Sequence, residues 1–212
     1  MSDIVDQINQ AHRQVGSRDV SGEEARTVLL RRAYDADIED VWDACTTAER
    51  IQRWFLPVTG DLRLGGRYQL EGNAGGEILQ CEAPRLLRVS WVMGEAPGFS
   101  EVTVRLSEQD ERTVLELEHV AVVPPGMWDQ FGPGAVGVGW DLALIGFSRY
   151  LAGEFVSPEK AAEFAESDEV RAGMVRSSEA WGEAYAASGA PQDVVAAAVA
   201  ATTAFYVPPR EA

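Results

Sequence analysis

In the segment Leu115-Glu116-Leu117-Glu118-His119 apolar and ionisable residues alternate, and the alternation decides which of them can do chemistry. A period of two places Leu115, Leu117 and His119 on one face of a strand and Glu116 and Glu118 on the other. His119 is therefore an imidazole among apolar neighbours. Such a group serves either as a core histidine satisfied by a backbone partner, or as a polar handle or general base facing a ligand. Glu116 and Glu118 read as solvated charges and not as an acid/base pair. The other histidine, His12, is too distant in sequence to complete a site with it. With one imidazole in the region, no Ser-His-Asp or Cys-His arrangement can be assembled. Metal binding would need more imidazole, thiolate or clustered carboxylate ligands than are present. No metal, no cofactor and no catalytic residue is assigned, His119 being the one candidate. Cys45 and Cys81 each fall within an apolar periodic segment and lack CxxC spacing, which reads as two buried thiols in a reducing cytoplasm. The run GPGAVGVG at 132–139 lacks the GK[ST] ending of a phosphate cradle and follows no parallel strand. It reads as a flexible entry loop, part of a gate from Val123 to Gly139.

These residues need elements to hold them. Ile38, Val41, Trp42 and Cys45 recur at helical spacing behind Asp37 as N-cap. Thr46 and Glu49 form a capping box for a second short helix carrying Ile51, Trp54 and Phe55, which Pro57 stops. Before this pair, Ile4, Ile8, Ala11 and Val15 suggest an N-terminal amphipathic helix. Gly16–Glu24 reads as a polar linker and Ala25–Tyr34 as a strand. From Val58 the period changes to two. Asp61–Leu64 and Arg67–Glu71 flank Gly65-Gly66 as a tight hairpin, and Glu77–Glu82 follows. Leu86–Met93 comes next, with Leu87, Val89, Trp91 and Met93 on one face, and then the strands of Val102, Val104, Leu106 and of Leu115, Leu117, His119. This is an antiparallel meander with one wet and one covered face. The cover is a helix over about Gly137–Leu151, with Trp140, Leu144, Phe147 and Leu151 as its stripe. The order makes an α+β fold in which a curved antiparallel sheet wraps a long helix, with two short helices after the first strand. Beyond Gly153 a helix start at Ser157-Pro158-Glu159 and an Ala-rich helix over Asp193–Phe205 predict two or three further helices. They would pack on the body or across a homodimer interface, with Trp181, Tyr185 and Phe205 as anchors. The organisation is thus an N-terminal helix and linker at 1–24, a main domain at 25–153 and a helical extension at 154–212.

The 212 residues carry a formal charge of -16, and every basic residue but Lys160 is arginine. An anion without a basic stripe argues against nucleic acid and against anionic membrane surfaces. The N-terminus lacks a basic n-region and an apolar h-region, and no apolar run reaches the length of a membrane span, so a soluble cytoplasmic protein is expected.

The stretch from Ala36 to Phe55, the Gly65-Gly66-Arg67-Tyr68 turn, the segment from Gly76 to Trp91 and Gly139-Trp140 opening a long helix resemble the SRPBCC (START-like, helix-grip) superfamily. Within it the chain is similar to the branch named after the activator of the heat-shock chaperone ATPase, over about residues 26–153. The resemblance implies a helix-grip fold with a cavity between sheet and long helix. The superfamily uses that cavity for lipids, sterols, polyketides and other apolar molecules. Mapped onto this chain, it implies a lining of Trp42, Trp54, Phe55, Tyr68, Leu70, Leu79, Trp91, Val102, Val104, Leu115, Leu117, Trp140, Leu144 and Phe147, with His119 beside them; the same residues could instead fill the space themselves. The expected function is binding of a small hydrophobic or aromatic, lipid-like or polyketide-like molecule, and binding rather than turnover. Two alternatives stand beside it: a chaperone- or protein-interaction module, and a cyclase-like enzyme using His119.

Overall fold

The computed structural model of the chain describes residues 3–94, 98–124, 126–154 and 164–210. The alternating segments form an eight-stranded sheet whose neighbours are all antiparallel. Its strands are β1 (His12–Val20), β2 (Glu23–Tyr34), β3 (Val58–Gly60), β4 (Arg67–Leu70), β5 (Gly75–Glu82), β6 (Leu86–Ser90), β7 (Ser100–Gln109) and β8 (Arg112–Ala121), in the order β1-β2-β8-β7-β6-β5-β4-β3. The second strand thus pairs with the last, β1 lies outside it at the sheet edge, and the meander runs outward from β8. Helices α2 (Ile38–Thr46) and α3 (Ala48–Ile51) sit between β2 and β3. After β8 come α4 (Met127–Phe131), the long α5 (Gly134–Leu151), α6 (Asp168–Ala187) and α7 (Gln192–Tyr206), while α1 (Ile4–Asn9) opens the chain. The fold is α+β of the helix-grip kind. Helix α5 packs across the inner face of the sheet, where Phe147 meets the Tyr34 ring edge-on at 5.1 Å and the Tyr34 hydroxyl donates to the Leu144 carbonyl. Among the described residues no helix is long and apolar enough to cross a membrane.

Several local expectations are corrected. The polar stretch Gly16–Glu24 is not a linker: it is the end of a β1–β2 hairpin that turns at Ser21-Gly22, both at positive φ. The N-terminal helix stops at Asn9, and Val15, in β1, packs with Val28 opposite it. An edge strand with one wet face carries so much polar sequence that its period is masked. Asp61–Leu64 is loop; the strand that pairs with β4 is β3, and the loop reaches β5 through the Gly65 and Ile78 amides. Helix α3 follows Thr47, not Thr46: Thr46 is the last residue of α2, where its hydroxyl donates back to the Trp42 carbonyl. Strand β6 ends at Ser90, leaving Met93 exposed. The glycine-rich run is not an entry loop from Gly134 onward: it is the first two turns of α5. The cap of α7 is Pro191 and not Asp193. The helix start expected at 157–159 lies outside the described residues.

Helices α6 and α7 pack on the body. Trp181 is fully buried and Tyr185 half-buried, whereas Phe205 is 66% exposed. Helix α6 also covers α1, where Gly173 lies against Ile4 and Ile8.

A candidate small-molecule cavity

Cross-strand pairing lays down two rungs on the inner face of the sheet. One runs Ile78, Val89, Val102, His119 and the other Cys81, Leu87, Val104, Leu117. Side chains alternate faces along each strand, so both rungs point to the same side. Above them stand Trp140 from α5, Cys45, Thr46 and Ile51 from α2 and α3, and Trp54 and Phe55 from the turn that follows. Val58, Leu62, Tyr68 and Leu70 form the far wall. The cavity, open at one side, measures about 130 Å³. An apolar cavity of roughly 150 Å³ accepts benzene, so this one has room for a single aromatic ring.

The wall is aromatic on one side. Phe55 lies nearly parallel to Trp54, Trp91 and Trp140, with centroids 5.5, 6.5 and 6.3 Å away, and Trp91 and Trp140 approach to 5.0 Å. Four of its polar groups turn their protons into the protein. The Trp54 indole N–H donates to the Ala44 carbonyl at 3.0 Å, the Tyr68 hydroxyl to the Ser90 carbonyl at 2.8 Å and the Thr46 hydroxyl to the Trp42 carbonyl at 2.8 Å. The Trp140 N–H donates to His119 Nδ1 at 3.3 Å. Burial pushes the Tyr68 phenol upward, and it pushes the Cys45 thiol up to about 12, so both stay protonated and uncharged. Cys81 is exposed while lining the cavity, which puts the mouth at the β5 end.

The walls are held by contacts outside the cavity. Arg50 of α3 donates to Asp40, to Asp43 and to the Tyr150 hydroxyl of α5. These bonds fasten the short helices over the cavity. About 100° round α5 from Trp140, Asp141 is buried and accepts two hydrogen bonds from Arg13 of β1. It also accepts one each from the Ser177 hydroxyl and the Trp181 indole of α6.

His119 is 7% exposed and burial lowers its pKa to about 4, so the ring is neutral at ordinary pH. An indole N–H can only donate, so Nδ1 accepts and the proton sits on Nε2, which donates to Ser100 Oγ at 2.9 Å. Both ring nitrogens are engaged, and neither is free to take a substrate proton. The ring lies behind Trp140, not on the cavity surface.

Of the residues expected at the lining, Trp54, Phe55, Tyr68, Leu70, Trp91, Val102, Val104, Leu117 and Trp140 come together around the cavity. Trp42 packs on the core away from it, and Leu144 and Phe147 are core residues of α5 itself. Leu115 pairs with Leu106, one rung beyond the cavity. Leu79 falls at a register shift between Ile78 and Gln80, so Ile78 and Cys81 face inward in its place. That shift has no signal in the sequence. Leu87 and Val89, by contrast, share the face of Trp91 by simple alternation. Glu116 and Glu118 are half-buried on the outer face, where Glu118 lies within ion-pair distance of Arg18 and Arg105. Among the described residues no group of three or more His, Cys, Asp or Glu stands where it would hold a metal ion.

A family model described as activator of Hsp90 ATPase homolog 1-like protein matches residues 35–152. The crystal structure of CalU16 from Micromonospora echinospora is 40% identical, covers 84% of this chain and 97% of its own, and has a TM-score of 0.62. The solution structure of the same protein is 39% identical, covering 84% and 96%, with a TM-score of 0.68. DynU16, described as a protein in the dynemicin biosynthetic locus, is 20% identical over 61% of this chain and 48% of its own, with a TM-score of 0.53. PFC0360w, an HSP90 activator from Plasmodium falciparum, is 22% identical over 60% and 96%, with a TM-score of 0.51. At those identities the last two show likeness of fold alone. A search of the curated proteins found no match.

Proposed function

The chain belongs to the activator of Hsp90 ATPase homolog 1-like family, and from that premise we propose that it binds a small, flat, apolar molecule, ring first, in the cavity between sheet and α5. The observation that carries this reading is the wall itself: aromatic rings among which the Trp54 and Trp140 N–H groups and the Tyr68 hydroxyl are hydrogen-bonded to the protein and not offered to the cavity. Such a wall offers contact area and little hydrogen bonding, which selects a hydrocarbon face over a polar one. A wall of aromatic faces, with Phe55 stacked against Trp54 and Trp140, favours an aromatic or polyketide-like group over a long acyl chain. The role is binding and not turnover, since the one buried imidazole has both nitrogens occupied.

Titration of the protein with toluene, followed by the indole N–H resonances of Trp54, Trp91 and Trp140, tests the proposal. Saturable shifts are expected at these three, and loss of them in Val104→Phe, which fills the cavity. Absence of saturation, or the same response in Val104→Phe, overturns it. The family's description favours a second reading, docking to an Hsp90-type chaperone. A stoichiometric complex on gel filtration that forms equally well with Val104→Phe would support that reading instead.

A further inference from the structure

We propose that His119 sets the ring-size limit of the cavity by fixing Trp140, which makes it a positioning residue for the wall and not a ligand contact. The inference rests on the cavity reading above and adds to it what decides which rings are accepted. Trp140 is where the helix side of the wall meets the sheet side, 5.0 Å from Trp91 and 6.3 Å from Phe55. Its indole N–H, in a ring 9% exposed, needs an acceptor, and His119 Nδ1 supplies it. The far nitrogen of the same imidazole donates to the Ser100 hydroxyl, and the Ser100 carbonyl accepts the Trp91 amide at 2.8 Å. Of the two tryptophans only Trp140 is hydrogen-bonded to the imidazole, which meets each of them edge-on with centroids 6.0 Å from Trp140 and 6.3 Å from Trp91. A one-ring ligand fits in front of this assembly. A two-ring ligand held wholly inside the cavity, and not projecting from its mouth, has to push Trp140 back and break its bond to His119.

The test compares the affinities of toluene and naphthalene for the wild-type protein, His119→Gln, His119→Leu, Trp140→Phe and the double variant His119→Leu/Trp140→Phe. Wild-type protein prefers toluene by about tenfold or more, as expected where an added group must displace a packed wall. His119→Gln, whose amide also accepts at one end and donates at the other, keeps the preference and keeps the Trp140 N–H protected from solvent exchange. His119→Leu narrows the preference to within about threefold and exposes that N–H to exchange. In the Trp140→Phe background the histidine substitution adds nothing, because the bond it would break is already gone. An unchanged preference in His119→Leu, with a native circular dichroism spectrum, overturns the proposal, as does an additive effect in the double variant. Should His119→Leu fail to fold, His119→Met, which also removes the acceptor while keeping the volume, takes its place, and an unchanged preference in it overturns the proposal. Wild-type protein that binds neither ring overturns the cavity reading and this inference together. Binding with a preference indifferent to His119 overturns the inference alone.

Discussion

Asp141 is an ionised side chain with 1% of its surface exposed, and its partner Arg13 has 6%. Taking both charges out of water is costly, and the pair is tolerable only because the carboxylate also accepts from Ser177 and Trp181 while the guanidinium also donates to the Ile8 and Ala11 carbonyls. Removing one member leaves the other charged, buried and uncompensated. Asp141→Ala should therefore cost about 3–5 kcal/mol by urea denaturation, and Asp141→Leu combined with Arg13→Met should cost less than that single change, because no orphan charge remains. A double variant as unstable as Asp141→Ala would show that the network, and not the stranded guanidinium, carries the energy. His119 makes the converse case of a group kept neutral. Its imidazole takes up a proton near pH 6.5 when unfolded and only near 4 in the fold. Above pH 6.5 it is neutral in both states and stability does not depend on it. As pH falls below 6.5 the unfolded chain gains the proton first, so stability falls until about pH 4, by about 3 kcal/mol in all. Urea midpoints at pH 7 and pH 4.5 should differ more for the wild-type protein than for His119→Gln, and equal differences would place the acid sensitivity elsewhere.

Helix α5 is a rod with a different partner on each side, and its glycines mark where those partners come closest. A methyl group on Gly137 would fall inside the Trp181 indole, and one on Gly146 would come within 2.8 Å of the Trp54 carbonyl; one on Gly139 meets only the Tyr206 hydroxyl, at 3.6 Å. Helix propensity alone favours Ala over Gly by about 1 kcal/mol at each position. Gly139→Ala should accordingly stabilise the protein by up to about 1 kcal/mol. Gly137→Ala should destabilise it, by about 1–3 kcal/mol, since a packed indole cannot yield that much. Opposite signs in thermal unfolding are the test; two stabilised variants would mean that α6 is free to shift. The same glycines explain a misreading. In a sequence, GPGAVGVG has the composition of a mobile loop, because glycine signals either backbone freedom or close approach and only the neighbour tells which. Trp181 and Thr202, the neighbours that settle it, lie more than forty residues away in the chain. Alternation made β6, β7 and β8 legible together with the residues they send to the cavity, because each buries one face. It failed at β1, whose edge position lets polar residues dominate, and at Leu79, where one extra residue moves the pattern to the other face. The Arg13–Asp141 pair was invisible for a related reason: nothing in either local pattern marks a charge as buried.

At the scale of the whole molecule, the family match ends at residue 152, yet the physical unit does not. Helix α6 fills the groove at Gly137 with Trp181, supplies two of the hydrogen bonds to Asp141, and covers Ile4 and Ile8 of α1 through Gly173 and Val170. Without it Asp141 would keep Arg13 as its one side-chain partner at a surface newly open to water, and α1 would lose the helix it packs on. Loss of a fully buried tryptophan alone typically costs about 3–5 kcal/mol, against a total stability of about 5–15 for a domain. A chain cut after Gly153 should therefore lose the cooperative urea transition of the full chain and the fixed near-ultraviolet signal of its remaining tryptophans at 25 °C. It should also fail to bind toluene, because Trp140 and Asp141 are adjacent on α5 and a helix loosened on the Asp141 side no longer presents Trp140 to the cavity. If residues 1–153 unfold at the urea midpoint of the full chain, α6 and α7 are an accessory to a finished domain. If they do not, the binding domain of this chain extends through its last helix, and the cavity on one side of α5 depends on the packing on the other.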